Sequence, residues 1–345
     1  MNNPPVEPLT DRKPVGATDV RTHRFAGVPF RGFILWMVVL LCIFSLPLWR
    51  LARYAAGSDL NSHVLLVPVI VAYLIWLKRH FLAAQFAGKK SFGDATRAGR
   101  IPGVTFLAFG AGFGVYYAIT AWRRPSATPE DLLAVAMVSF VCAAISGAFF
   151  FFGKRVIASV AFPVFFGFFL VPFPTFLTIW LETFLQHASA DAASALFTLS
   201  GSSVLRDGLV FRLPGISLEV ARECSGIHST LVLFITSLLA GHLLLRTGWK
   251  KGLLALVVIP LGILRNGCRI FTLGYLCVHL DPGIIDSPLH HRGGPIFFVL
   301  SLVPFFALLL LLRRSEDHNK EGKIKNSIVN AVSHDQDATE PLHKS

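Results

Sequence analysis

One thiol, two guanidiniums and a pair of imidazoles are the groups in this chain best suited to chemistry, and each lies in or beside a long apolar segment. Cys224 lies in Glu219-Val-Ala-Arg-Glu-Cys-Ser-Gly-Ile-His228, where a polar stretch turns into an apolar helix. Exposed N–H groups and the positive end of a helix dipole favour a thiolate at such a place. Ser225 and Gly226 are small, so a substrate backbone could approach closely. Taken alone, a cysteine beside Glu223 in a turn fits a structural role as well as a nucleophilic one.

The arginines lie further on, in Ile263-Leu-Arg-Asn-Gly-Cys-Arg-Ile270. A central arginine in an apolar helix costs about 2.5–3.5 kcal/mol on insertion scales, so Arg265 and Arg269 should face a partner or a wet cavity. Arg269 follows Lys251 by eighteen residues, a rise of roughly 27 Å at the α-helical pitch. That puts it near the depth expected for Cys224, with Arg265 one turn deeper on the same face. Structural snorkelling or pairing is the alternative for both. His290 and His291 fall in Asp286-Ser-Pro-Leu-His-His-Arg-Gly-Gly294, and imidazoles titrate near neutrality. A loop histidine pair can also be merely exposed, or bind metal adventitiously. His63 and His187 read as packing or interface residues.

These groups need apolar helices to hold them. Of 345 residues, 53% are hydrophobic and 15% charged, with mean hydropathy +0.60. Apolar runs long enough to cross a hydrocarbon core of about 30 Å recur along the chain. The expected fold class is therefore all-α: a polytopic transmembrane bundle of about eight spans. They are placed near Phe33–Trp49, His63–Leu77, Ile101–Trp122, Leu132–Phe152, Val156–Pro172, Ser225–Leu245, Leu253–Leu280 and Pro295–Leu312. Before the sixth span, Thr175–Leu199 suits an amphipathic helix at the membrane interface. Val204–Val220 reads as two short strands around Leu213-Pro-Gly215.

The net charge of +12 invites a nucleic-acid reading, which its distribution opposes. Of 32 lysines and arginines, 22 fall on one set of connections and the tails, and 8 on the alternate set. The positive-inside rule then puts both termini in the cytoplasm. Cys224, Arg269 and His290 all come to the outer face of the cytoplasmic (inner) membrane. The polar opening segment is unlike a secretory signal peptide. Residues 1–30 read as a cytoplasmic polar tail, 31–314 as the membrane domain, and 315–345 as a disordered cytoplasmic tail. The five cysteines show no paired or metal-ligand spacing. Cys42 and Cys142 behave as small mid-span hydrophobes. No metal or organic cofactor is indicated.

These segments resemble the exosortase/archaeosortase family of membrane-embedded cysteine transpeptidases. The resemblance runs from about Asn61 to Phe298. It is carried by Ser62-His-Val-Leu-Leu-Val-Pro68, Val171-Pro-Phe-Pro174, Gly208-Leu-Val-Phe-Arg-Leu-Pro214 and Leu218-Glu-Val-Ala-Arg-Glu-Cys-Ser-Gly226. Asn266-Gly-Cys-Arg269 is similar to the family's Asn-x-x-Arg element, and His290 precedes Gly294 as in its His-x-x-x-Gly element. The resemblance implies a catalytic triad of Cys224, Arg269 and His290, with His291 and Arg265 as neighbouring alternatives. It also implies membrane-anchored protein substrates carrying a PEP-CTERM-like sorting signal: a short motif, a transmembrane helix and a basic cluster. Cleavage would pass through a cysteine thioester. The competing reading is a transporter or a non-catalytic assembly component for envelope polysaccharide, with the charged groups binding an anion. Intramembrane charge fits that reading; matching broken helices, the mark of many secondary transporters, are not evident in the sequence.

Overall fold

In the computed structural model, residues 27–58, 60–87, 92–123, 128–280, 283 and 294–339 are described. Nearly all of the 1–30 tail lies outside them. The helices are α1 (Gly27–Ile43), α2 (Ser45–Gly57), α3 (Val67–Leu77), α4 (Arg79–Ala87), α5 (Phe92–Arg123), α6 (Pro129–Ser159) and α7 (Ala161–Phe166). They are followed by α8 (Thr175–Leu199), strands β1 (Leu205–Asp207), β2 (Val210–Leu213) and β3 (Ile216–Glu219), then α9 (Ile227–Leu244), α10 (Gly248–His279) and α11 (Gly294–Thr339). Among the described residues, five helices are long and apolar enough to cross a membrane, or up to eight if each of three bent pairs is one span. The chain is an all-α polytopic bundle with a small sheet.

The chain divides into two compact units. The first holds α1, α3, α4, α5, α7 and most of α6. Its core gathers Leu40, Phe140, Ile145, Phe149 and Ile157, with Trp36 and Phe106 packed against them. Small residues bring α5 and α6 together. Ser139 Oγ donates to the Gly110 carbonyl at 2.6 Å and Ser146 Oγ to the Gly103 carbonyl at 2.8 Å. In lipid, where hydrophobicity does not drive helices together, such contacts and close packing do. Ile101, Val104, Phe109, Tyr116 and Ile119 on α5 stay exposed, as a lipid-facing surface would.

Several spans differ from their predicted form, the first (Phe33–Trp49) by the break between α1 and α2. Gly153 breaks α6 with a left-handed φ of 74°, a conformation only glycine adopts cheaply. The predicted span Val156–Pro172 is therefore the end of α6, then α7, then a 3₁₀ turn at Gly167–Leu170. The second span starts at Val67, so His63 sits before it in the 3₁₀ turn Ser62–Leu65. The last helix runs past Leu312 to Thr339, through most of the segment expected as an unstructured tail from Ser315. Composition argued against a packed core there.

The second unit holds α2 from Leu51 on, the 3₁₀ turn Ser62–Leu65, the first turn of α6, and everything from α8 onward. Asp131 Oδ1 accepts the Thr175 N–H at 2.7 Å, satisfying one of the free amides at the start of α8. From there α8 runs along α10. Leu185, Gln186, Ser189, Ala190, Ala193 and Phe197 form its buried stripe, while Phe176, Ile179, Trp180 and Phe184 are exposed. A helix is thus present over the expected residues, with its buried stripe, which includes Gln186 and Ser189, on another helix and an apolar face left exposed. A Cβ on Gly267 would lie 2.7 Å from the Ala192 Cβ, and one on Gly274 2.7 Å from the Phe197 ring. The two helices touch because those side chains are absent.

The sheet is antiparallel in the order β1-β2-β3. β2 and β3 flank the predicted Leu213-Pro-Gly215 turn. The third strand, β1, was not expected, and joins β2 through Gly208, whose φ is 61°. Phe211, Leu213 and Leu218 from the sheet, with Val220 just after it, bury against Phe197 and Ile270. A third cluster joins α9, α10 and α11 through Leu233, Leu254, Val258, Phe305 and Leu309. At its end Glu316 accepts the Arg246 and Thr247 amides at 2.9 and 2.8 Å, and the buried Lys250 donates to the Leu312 carbonyl at 3.1 Å.

Candidate active site

The segment that carries Cys224 is anchored on both sides. Before it, Val220 donates its N–H to the Leu209 carbonyl at 3.0 Å. Val220 also accepts a 2.5 Å hydrogen bond from the buried Gln186 amide of α8. The chain then turns through extended Ala221 into the 3₁₀ turn Arg222–Ser225, which holds Cys224. Gly226 follows with φ 72° and ψ 14°, and α9 begins at Ile227. A left-handed residue is needed to redirect the chain here, and glycine supplies it without steric cost.

The Gly226 carbonyl accepts three donors. They are the Thr230 N–H at 3.0 Å, the Thr230 hydroxyl at 2.9 Å, and Arg265 Nη2 from α10 at 3.2 Å. One turn along α9, a Cβ on Gly262 would fall 2.6 Å from Thr230 Oγ1. That contact brings α9 and α10 close and fixes their antiparallel register. Advancing four residues on α9, from Gly226 to Thr230, corresponds to retreating three on α10, from Arg265 to Gly262. Arg265 is thereby set against the first turn of α9. Asn266 is buried beside it, with its Cγ 3.3 Å from where a Gly226 Cβ would be.

Arg269 lies one turn further along α10. It lines a small cleft with Leu218, Glu219, Val220, Asn266, Ile270 and Leu273. Arg269 is thus beside the end of β3, while Arg265 reaches Gly226. Cys224, Arg265 and Arg269 all belong to the second unit. His290 and His291 lie outside the described residues, as do the side chains of Glu223 and Cys224. His187 is exposed on α8, its Nδ1 against the Thr183 carbonyl of its own helix at 2.9 Å.

Three groups not singled out for chemistry in the sequence join this neighbourhood. Ser225 is buried, and among the described residues its Oγ has no hydrogen-bond partner; the same is true of His228 Nδ1. His63 Nδ1 meets the Leu60 carbonyl at 3.0 Å. Burial pushes the His63 imidazole below its ordinary pKa; the Leu60 carbonyl opposes that shift and the nearby His228 adds to it. His228 follows Cys224 by four residues, and that spacing was the signal available for it. Among the described residues, no group of three or more His, Cys, Asp and Glu could hold a metal ion.

The arrangement is that of a polytopic helical membrane protein with a cysteine turn held at a helix start beside two intramembrane arginines. A family model described as transmembrane exosortase (Exosortase_EpsH) matches residues 49–307, most of the chain. The protein belongs to that family and is a multi-pass membrane protein of the exosortase type. No curated protein and no solved structure matches it.

Proposed function

We propose that this protein is a cysteine-type peptidase or transpeptidase that cleaves C-terminal sorting signals of exported proteins at the outer face of the cytoplasmic membrane. Cys224 is the nucleophile, Arg269 the electrostatic partner and His290 the proton donor. The observation that carries the reading is the anchored turn of Cys224 at the start of α9, beside the Asn266–Arg269 face of α10, in a chain of the exosortase family. Both termini are cytoplasmic in this reading, as the lysine and arginine distribution supports.

The chemistry follows the logic of an activated cysteine. A substrate held in the same bilayer by its own C-terminal helix diffuses until its recognition motif reaches the cleft. The Cys224 thiolate attacks the scissile carbonyl and its carbon–nitrogen bond breaks. His290 gives a proton to the departing amine, which leaves with the transmembrane helix and basic cluster. Arg269 steadies the thiolate or the developing oxyanion through charge-assisted hydrogen bonds, an effect worth about 3 kcal/mol per donor in a water-poor site. An acceptor nucleophile or water then takes the acyl group from sulfur and regenerates the thiol.

Trapping tests this reading. Hydroxylamine added to membranes containing the enzyme and a substrate should release the exported portion as a hydroxamate. Cys224→Ala membranes should give none. Processing at the wild-type level by Cys224→Ala would overturn the assignment.

A further inference from the structure

Arg265 is 8% exposed, the more deeply buried of two guanidiniums on α10. It belongs to neither of the ion pairs Arg206–Asp191 and Arg212–Asp207. Its Nη2 is spent on the Gly226 carbonyl, and its Nη1 has no hydrogen-bond partner among the described residues. It also sits against the first turn of α9, where the helix dipole presents positive potential. A buried cation beside a helix N-terminus is costly when no anion is present. It becomes favourable once a negative charge forms in the same turn, and Cys224 is two residues before Gly226.

We propose that Arg265 is a positioning residue for Cys224: its guanidinium holds the left-handed Gly226 turn that presents the cysteine, and its charge favours the thiolate. The proposal rests on Cys224 being the nucleophile. It divides the labour of the two arginines. Arg269 lines the cleft beside the end of β3, and Arg265 acts through the turn. The other ionisable groups of the neighbourhood are Arg269 on α10, Glu219 on β3, Arg222 and Glu223 in the turn, His228 on α9 and His63 before α3. Arg265 reaches the turn directly, through its bond to the Gly226 carbonyl.

The test measures the rate of Cys224 alkylation by iodoacetamide against pH, in the full chain in membrane vesicles, resolved site by site by mass spectrometry. It needs no substrate, so it is independent of whether the chain cleaves anything. Arg265→Gln and Arg265→Met should each raise the pH midpoint of alkylation by about one unit, and Arg265→Lys by less. The buried thiol of Cys277 reports folding in the same sample, since it stays unlabelled while the second unit is packed. A wild-type midpoint in either neutral variant, with Cys277 protected, would overturn the proposal. So would loss of Cys277 protection in both neutral variants but not in Arg265→Lys, since that makes Arg265 a prop for folding. If the midpoint shifts as expected while Cys224→Ala still processes substrate, the positioning role stands and the proposed function fails.

Discussion

Arg265 Nη2 donates to the Gly226 carbonyl at 3.2 Å, linking an intramembrane arginine to the glycine two residues after Cys224. The same carbonyl opens the hydrogen-bond ladder of α9 by accepting the Thr230 amide. The start of the helix, the turn before it and the charge on α10 are therefore one mechanical unit. Disturbing any of the three should move the cysteine.

Gly226→Ala is the simplest disturbance. A left-handed alanine costs about 1–2 kcal/mol, and its Cβ would lie 2.9 Å from Arg265 Nη2. The variant should unfold at a lower temperature in detergent and lose processing more than stability. Wild-type melting and wild-type processing together would show that the turn tolerates displacement.

The α8–α10 contact makes a second prediction. Gly267→Leu places atoms where Ala192 and the Ala193 amide already are, and overpacking of this kind costs about 1–3 kcal/mol. Ala192→Gly in the same chain should recover part of the loss, because the two sites touch. Thermal unfolding of the single and double variants checks this, and strictly additive effects would contradict it.

Acid should weaken the fold through His63. Its folded pKa lies below the ordinary 6.5 because burial favours the neutral ring. Between the two values the unfolded chain binds the additional proton. Stability therefore falls as pH drops through 6.5 toward the folded value, and is unaffected by this group at higher pH. His63→Gln should flatten that part of a stability-against-pH curve measured in detergent. An unchanged slope would assign the acid sensitivity to other groups.

Arg269→Lys should fail to process substrate, by ~10²-fold or more in rate, because a point charge does not replace a planar fork at a developing oxyanion. Normal turnover by this variant would make Arg269 a structural residue.

Much of this architecture can be read from the residues, for physical reasons that also mark where reading stops. Thr175–Leu199 is bounded by Pro174 and by Ser200-Gly201, strong local punctuation, and α8 spans those same residues. β1 escaped because three residues carry too little alternation, although Asp207-Gly208 is a turn signal. Gly153 was passed over because a charged pair, Lys154 and Arg155, suggested a loop where the chain bends through one left-handed residue. The face shared by Arg265 and Arg269 follows from their spacing of four. That Arg265 meets the Gly226 carbonyl does not, because that depends on how α10 registers against α9. The Gly262–Thr230 approach sets that register, and it involves two chain segments whose pairing periodicity alone does not give.

The central claim is that Cys224 cuts membrane-anchored substrates. Mass spectrometry of the C-terminus of a secreted protein ending in a short motif, an apolar helix and a basic cluster tests it most directly, in cells with wild-type protein or Cys224→Ala. The account predicts a C-terminus cut before the helix with wild type and an intact one with Cys224→Ala, at equal enzyme levels in the membrane. The same cut C-terminus in both would contradict it.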